Sequence, residues 1–592
     1  MLRVKLNNYM DERTFETLEL PALIELAARY VQTAPGRIRV TGLRPSNSRS
    51  LVLRDLEITG ECVAHLKSEG KFDLTGIDDP APILSTLSIK ATTLEPRQIL
   101  ALERLLLAGK SLRDFMKSAE ARTRYPQLAR IMAGIPDLGF LLASMRGKIL
   151  PGGEIDDSAS PELRTLRREL AERRSRIHRA LQSIMRNRSQ AIQEEIITFR
   201  NGRFVIPVRS DSRNQVPGVV HGLSSSGQTT YIEPFSIINQ NNELVRLREL
   251  EEIEIARILS ALTQALRDQL PAIRTTLEIV TEIDVAQAKA LFALQFDCTA
   301  PRISDGRDLV LHDARHVLLE HSLRASGSRP VPISLALNEE CGVLIVSGPN
   351  AGGKTVVLKT VGIISLMAQM GFYVPAREAL LPVFDQVWAD IGDQQSISAN
   401  LSTFTAHMRN IARMAQQVQP PALVLLDEVG TGTDPEEGAA LAIAVVDYFR
   451  RKGATTIAST HYPRLKMWAS QTPGVRNASV EFDEQTLRPT YRLILGTAGS
   501  SSGIEIARKM QVSEEILAQA QAMVGPGHAQ ATEYLRRLKA ILEEQENLRA
   551  ALEKERLDLA QARARLQADY KKKEEARKKE FESALQATID EF

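Results

Sequence analysis

Nowhere in these 592 residues is there an apolar run of the ~18 residues that a membrane-spanning helix needs, so no such span is expected. Cysteine is scarce, with only Cys62, Cys298 and Cys341 and no CxxC pair. That excludes a disulfide framework and a cysteine-based zinc site, and it fits a reducing, cytoplasmic compartment. The opening stretch "MLRVKLNNYMDERTFETLEL" has charges scattered through it and no apolar segment, so it is not a signal peptide. An excess of charge of one sign is also missing: 75 Lys and Arg face 73 Asp and Glu, for a net charge of +2. Any nucleic-acid partner must therefore be gripped by local basic patches. What remains is 43% hydrophobic and 25% charged, ordinary for a globular chain, and too long for one core.

Residues 1–160 read as helical, with helix-spaced apolar residues in "LPALIELAARYV" and "ILALERLLLAGKSLRDFM". A long straight helix is expected from Pro161, capped by Ser158 or Ser160. Its seam is Leu163, Leu170, Ile177 and Ile184 at seven-residue spacing, helped by Leu166 and Leu181. The runs "ITFRNGRFVIPVRS" and "SGQTTYIEPFSII" then read as short strands, and from Asn239 the helical period returns to about residue 300. A helix out, a β-containing tip over 161–238, and helices back over 239–300 is the simplest arrangement. Residues 301–525 alternate strands and helices, an α/β pattern. The last segment, 526–592, is charged and helical, with a seven-residue series Leu538, Gln545, Leu552, Leu559 and Leu566 that reads as a coiled coil.

The chemistry concentrates in the α/β segment. "GPNAGGKT", Gly348 to Thr355, fits the phosphate-loop pattern GxxxxGK[ST], between the apolar strand "GVLIVSG" and the helix "TVVLKTVGIISLMAQMG". In such a loop the backbone of Gly348, Pro349, Asn350, Ala351, Gly352 and Gly353 faces the phosphates of ATP. Lys354 neutralises the β- and γ-phosphates and Thr355 holds Mg²⁺. Further on, "PPALVLLDEVGTGTDP" ends an apolar strand in Asp427 and Glu428. By itself that is an ordinary strand end. Paired with the phosphate loop, Asp427 reaches Mg²⁺ and Glu428 serves as general base. His461, just after "ATTIAST", is placed to sense the γ-phosphate, although a lone His is more often structural. Ser402, in "LSTFTAHM", reads as a simple helix cap or as a contact to nucleotide held by a second subunit.

The series "SGPNAGGKT", "LSTFTAHM", "LLDEVGTGTDPEEGAALA", "STHY" and "GTAGSSSGIEIARKM" resembles the MutS ATPase in order and spacing. "ARHVLLE" is similar to a MutS segment, with Val317 where Pro is usual. "DSASPELRTLRREL" and "NGRFVIPVRSDSRNQVPGVVHGLSSSGQTTYIEP" look like the clamp of the second bacterial MutS subfamily, the anti-recombination type. The resemblance spans about residues 10–525. It implies an α-helical core and lever (1–160 and 239–300) with a β-containing clamp (161–238), then an ABC-like ATPase (301–525) and a helical tail (526–592). It also implies a homodimer that uses ATP and Mg²⁺, places its two sites across the dimer interface, with Ser402 acting in trans, and closes a ring on nucleic acid.

Two departures shape the expectation. No mismatch-reading domain with a Phe-x-Glu wedge precedes the core-like helices, so mismatch recognition is not expected. No His-Gly-x-Gly or Asp-Leu-Arg-Gly motif of the subfamily's terminal Smr nuclease domain follows residue 525, so the chain reads as ending short of that domain, with no nuclease residues to assign. Two clients fit the resemblance: branched or duplex DNA during recombination, and stalled or collided ribosomes, whose rRNA backbone an Arg-rich clamp grips equally well. The tip residues Arg200, Arg203, Arg209 and Arg213 are the candidate phosphate contacts. The alternative is an ABC-like ATPase scaffold that bridges other proteins.

Overall fold

The computed structural model describes residues 11–349, 353–392, 403–483, 488–497, 507–508 and 511–523, with scattered positions between 537 and 577. The chain divides into two compact units, one of 26–43 and 57–292, the other of 1–25, 44–56 and 293–592. This differs from boundaries drawn at 160 and 300. Helix-spaced apolar residues announce a helix without naming what it packs on, and residues 11–25 and 44–56 pack within the α/β unit.

In the first unit, a helical body is built on an apolar core that includes Leu102, Leu105, Tyr125, Leu128, Leu141, Leu266 and Ile283. From it rises an arm of two long helices, α1 (Pro161–Asn187) and α2 (Ile238–Asp268). Leu163, Leu166, Leu170, Ile177, Leu181 and Met185 are the buried residues of α1. Ile184 is only partly buried, because a 3.6-residue helix drifts ~20° per heptad and Met185 takes over the seam by the fourth turn pair. Between the helices lie β1 (Thr198–Arg200), β2 (Arg203–Arg209), β3 (Gly218–Leu223) and β4 (Thr229–Pro234). They form a four-stranded antiparallel sheet in the order β1-β2-β4-β3. Asn201-Gly202 makes the two-residue hairpin connection that this dipeptide favours, with Arg200 opposite Arg203. One face of the sheet, with Ile206, Val208 and Ile232, packs on Leu181, Leu244 and Leu247 of the helices.

Ser160, not Ser158, caps α1: its Oγ accepts from Leu163 N–H at 3.0 Å and donates to Glu254 Oε1 of α2 at 2.7 Å. Glu254 also takes Arg257 Nε at 2.6 Å. The Arg257 and Ser160 bonds hold its carboxyl down at about 2 against the opposing effect of burial. Ser160→Ala removes a cap worth ~1 kcal/mol and a bond to a charged group worth ~1.5–3 kcal/mol, so a loss of roughly 2.5–4 kcal/mol is expected. A depressed carboxyl stabilises above its unfolded value near 4.5 and loses that contribution as pH falls toward about 2. The deficit of the Ala protein, followed by urea unfolding, should therefore shrink over that acid window to the cap component alone.

The second unit is α/β. A six-stranded sheet has the order β6-β7-β8-β5-β9-β10, from β5 (Val343–Ser347), β6 (Gln386–Asp390), β7 (Ala422–Leu426), β8 (Thr455–Thr460), β9 (Val475–Asp483) and β10 (Arg488–Leu495). Strands β5 to β9 run parallel and β10 pairs antiparallel on β9. All residues of β5, β6, β7 and β8 are buried, as expected of parallel strands covered on both faces. The helices are α3 (Lys354–Gln369), α4 (Thr403–Gln417), α5 (Pro435–Arg451) and α6 (Pro463–Gln471). Helix α3 is buried nearly all round, and apart from Lys359 its middle and last turns carry apolar or uncharged polar side chains. Leu18 sits against Gly362, Glu19 pairs with Lys359 at 2.6 Å, and Gln369 Nε2 donates to Ser46 O at 2.9 Å. A second, four-stranded sheet comprises Arg302–Ile303, Leu309–Ala314, Ile333–Leu337 and Glu378–Leu381.

Ser402 and the loop residues Asn350, Ala351 and Gly352 lie outside the described residues, as does most of the expected coiled coil. The tail positions that are described are helical, and Ile541, Leu548, Leu552, Leu559 and Leu566 among them are exposed. Among the described residues no helix is long and apolar enough to cross a membrane.

Candidate functional site

The parallel order brings three strand ends together. In the sheet β8 lies between β5 and β7, so the carboxyl ends of all three face one cleft, where open α/β sheets bind ligands. The loop after β5 leads into α3, whose cap Gly353 has φ +93°. A side chain there would be strained and would approach the Tyr491 ring at 3.2 Å, so only glycine fits comfortably. Lys354 is 2% exposed, and its Nζ donates to Gly348 O at 2.8 Å and sits 3.4 Å from Glu428 Oε1. Thr355 Oγ1 donates to Asp427 Oδ2 at 2.7 Å. The residues picked from two motifs more than seventy positions apart therefore meet, a hydroxyl beside one carboxylate and an ammonium beside the next.

Glu428 has φ +47°, a left-handed conformation that bulky residues rarely adopt. Its backbone is held there from both sides: its N–H donates to Ser459 Oγ at 2.9 Å, and its carbonyl accepts from Thr431 Oγ1 at 2.9 Å. The turn carries the carboxylate over the cleft toward Lys354. Ser459 also donates to Asp427 Oδ1, so one hydroxyl on β8 orients both acids. Reading by motif passed over this residue, although it is the Ser of "STHY".

His461 follows β8, its ring 4.3 Å from that of Tyr462. Loss of hydration in the cleft lowers its pKa, Glu428 opposing and Lys354 adding to the effect. Lys466 on α6 is buried, and burial, then the charge of Lys354, pushes its pKa down to about 8.

The four tip arginines do not form one set. Arg203 is ion-paired with the buried Glu233 at 2.8 Å, and His221 Nε2 lies 2.7 Å from the same carboxylate. Arg200 lies over the Tyr231 ring at 4.8 Å, Arg209 reaches the exposed Asp211 at 3.4 Å, and Arg213 is exposed. Three of the four stand at the surface.

The fold and the cleft define the class: a phosphate-loop α/β unit in a chain that also carries a helical body with a β-tipped arm. Residues 344–525 match the family described as MutS domain V. The chain is 38% identical over 573 residues to "Endonuclease MutS2" of Pelotomaculum thermopropionicum, covering 96% of this chain and 72% of that protein. The proteins of that name from Thermomicrobium roseum and Clostridium botulinum are 39% and 37% identical, over 91% and 98% of this chain and 69% and 71% of theirs. The chain belongs to the MutS2 family.

Proposed function

We propose that the protein is a homodimeric, Mg²⁺- and ATP-dependent clamp that closes on nucleic acid in the cytoplasm without reading mismatches. The observation that carries the reading is the Thr355–Asp427 contact beside the Lys354–Glu428 pair, at the carboxyl ends of parallel strands. A magnesium nucleotide fits this donor set. Lys354 is a buried ammonium for the β- and γ-phosphates, Thr355 and Asp427 offer the hard oxygen ligands that Mg²⁺ prefers, and the non-proline residues of the loop from Gly348 to Gly353 supply backbone N–H groups, Pro349 having none to give. When bound, Mg²⁺ and ATP supply the transferable γ-phosphoryl group and part of its charge neutralisation. The chain's own work is positioning. Glu428 orients and deprotonates water, Ser459 fixes the two acids, His461 senses the γ-phosphate, and Ser402 reaches the nucleotide of the partner subunit.

The client in this proposal is branched or duplex DNA, the ligand shared across the MutS family, and its binding suppresses recombination. ATP-dependent splitting of stalled or collided ribosomes is the competing outcome. Gel-shift titration on four-way-junction and linear DNA beside ribosome co-sedimentation separates them. An ATPase rate and ATP affinity indifferent to any nucleic acid would favour a protein-bridging scaffold instead. The relatives' name also carries an endonuclease activity, to which we assign no residue of this chain.

Arg200, Arg209 and Arg213 changed together to Ala should weaken DNA binding and flatten its salt dependence by up to ~0.9 log units per lost phosphate contact. ATPase without nucleic acid should survive. Arg203 is left out of this set because its removal takes the guanidinium from the buried Glu233, leaving it only His221 and Asn241, and costs stability. An unchanged salt slope would move the binding surface to the arginine-rich outer face of α1.

A further inference from the structure

We propose that the buried Asp390–His407–Asn410 cluster is a positioning element that seats the first turn of α4 for the nucleotide site of the partner subunit. The inference rests on the composite-site reading above. Asp390 is the last residue of β6 and is 1% exposed, an unusual depth for a carboxylate at a strand end. Both of its oxygens are engaged, one by His407 Nδ1 at 2.8 Å and the other by Asn410 Nδ2 at 2.9 Å. His407 and Asn410 are three positions apart on α4, so a single helix face carries both partners. The backbone carbonyl of Asp390 accepts from Asp427 N–H at 2.8 Å, a bond set by the register that places Asp390 opposite Leu426. One residue thus ties the carboxylate pair of the cleft to α4.

Two further contacts point the same way. Phe404 Cβ lies 3.2 Å from where a Cβ on Gly432 would stand, so the first turn of α4 also rests on the loop that follows Glu428. Arg413 continues the network, donating to Asn410 Oδ1 at 2.9 Å and pairing with Asp11. Anchoring alone does not need this cluster, since Ile411 and Met414 already bury the helix in the apolar core. Hydrogen bonding of both Asp390 oxygens in a dry interior fixes a unique geometry. Here it fixes the turn that begins directly after Ser402. A shift of ~1 Å at a contact to a reacting group can cost up to ~10²-fold in rate.

The test uses full-length mixed dimers. His407→Ala homodimers should hydrolyse ATP ~10-fold or more slowly with ATP affinity kept, while His407→Asn, which retains an N–H near the Nδ1 position, should recover most of the rate. Heterodimers of His407→Ala with Lys354→Ala place both defects in one composite site and leave the other intact. Single-turnover hydrolysis should then return at the wild-type rate with about half the amplitude. If the cluster serves its own subunit through Asp427, the remaining phosphate loop lies in the His407→Ala chain and hydrolysis stays slow, which overturns the proposal. Ser402→Ala paired with Lys354→Ala runs alongside. Recovery there without recovery in the His407 pair sinks this inference alone, and recovery in neither sinks the composite site and the inference with it. The near-isosteric Asp390→Asn, which spares the backbone bond to Asp427, is carried through the same pairs, so a folding defect in one variant leaves the other to decide.

Discussion

Glu428→Gln protein should bind ATP as tightly as wild type and hydrolyse it ~10²-fold or more slowly, the loss expected when a positioned general base is removed. The substitution keeps length and shape. It leaves the left-handed turn in place, because that turn is held by backbone bonds to Ser459 and Thr431 and not by the carboxylate. It deletes the basic oxygen and the charge 3.4 Å from Lys354. Losing that charge frees the ammonium for phosphate, so affinity for ATP should hold or rise. Lys354→Ala separates binding from chemistry: it removes the buried cation itself and should weaken ATP binding. Single-turnover hydrolysis with a parallel measurement of ATP affinity distinguishes the two. A Gln protein that hydrolyses at the wild-type rate would remove Glu428 from the role of base, leaving Asp427 or a bound water to account for the chemistry.

The cleft was legible in sequence to the degree that its parts are contiguous. A phosphate loop between an apolar strand and a helix, and an apolar strand ending in two acids, are local patterns, and the parallel sheet brings their ends together. The short strands at the tip of the arm were legible for the same reason, through the runs "ITFRNGRFVIPVRS" and "SGQTTYIEPFSII" set between two helical segments. Asp390 and His407 were not. They lie seventeen residues apart, their contact depends on β6 lying beside β7, and no periodicity in either segment announces it. Ser459 was hidden by its ordinariness, a small polar residue in an apolar strand whose partner is thirty-two positions away. The pairing of Arg203 was not legible either, because an arginine count cannot see the buried Glu233 across the sheet. The early segments around Leu18 and Ser46 were given to the helical body because helical spacing carries no record of which unit covers the helix.

Gly430→Ala is expected to destabilise the α/β unit by roughly 2–4 kcal/mol, from a left-handed conformation costing ~1 kcal/mol and overpacking costing ~1–3 kcal/mol. Gly430 has φ +86°, and a Cβ there would come within 2.2 Å of Gly438 O. The obstacle is backbone in α5, so no side chain can turn aside. The neighbours are equally committed: a Cβ on Gly438 would meet Gly430 O at 2.4 Å, and Tyr462 Oη donates to Gly430 O at 2.8 Å. The loop carrying Glu428 is therefore pressed against α5 by a contact of two glycines, pinned by a tyrosine from the turn between β8 and α6. Gly327→Ala is the matched control, with φ +71° and nothing within 4 Å of its Cβ, so it should show the conformational cost alone. Thermal unfolding followed for the transition that rises on adding Mg²⁺ and ATP isolates this unit in a chain that need not unfold in one step. Equal shifts for the two Ala proteins would mean that the loop yields freely and does not hold Glu428 rigidly. A larger shift for Gly430→Ala, joined to a loss of hydrolysis that Gly327→Ala does not share, would tie the close approach of the two glycines to the placement of the base.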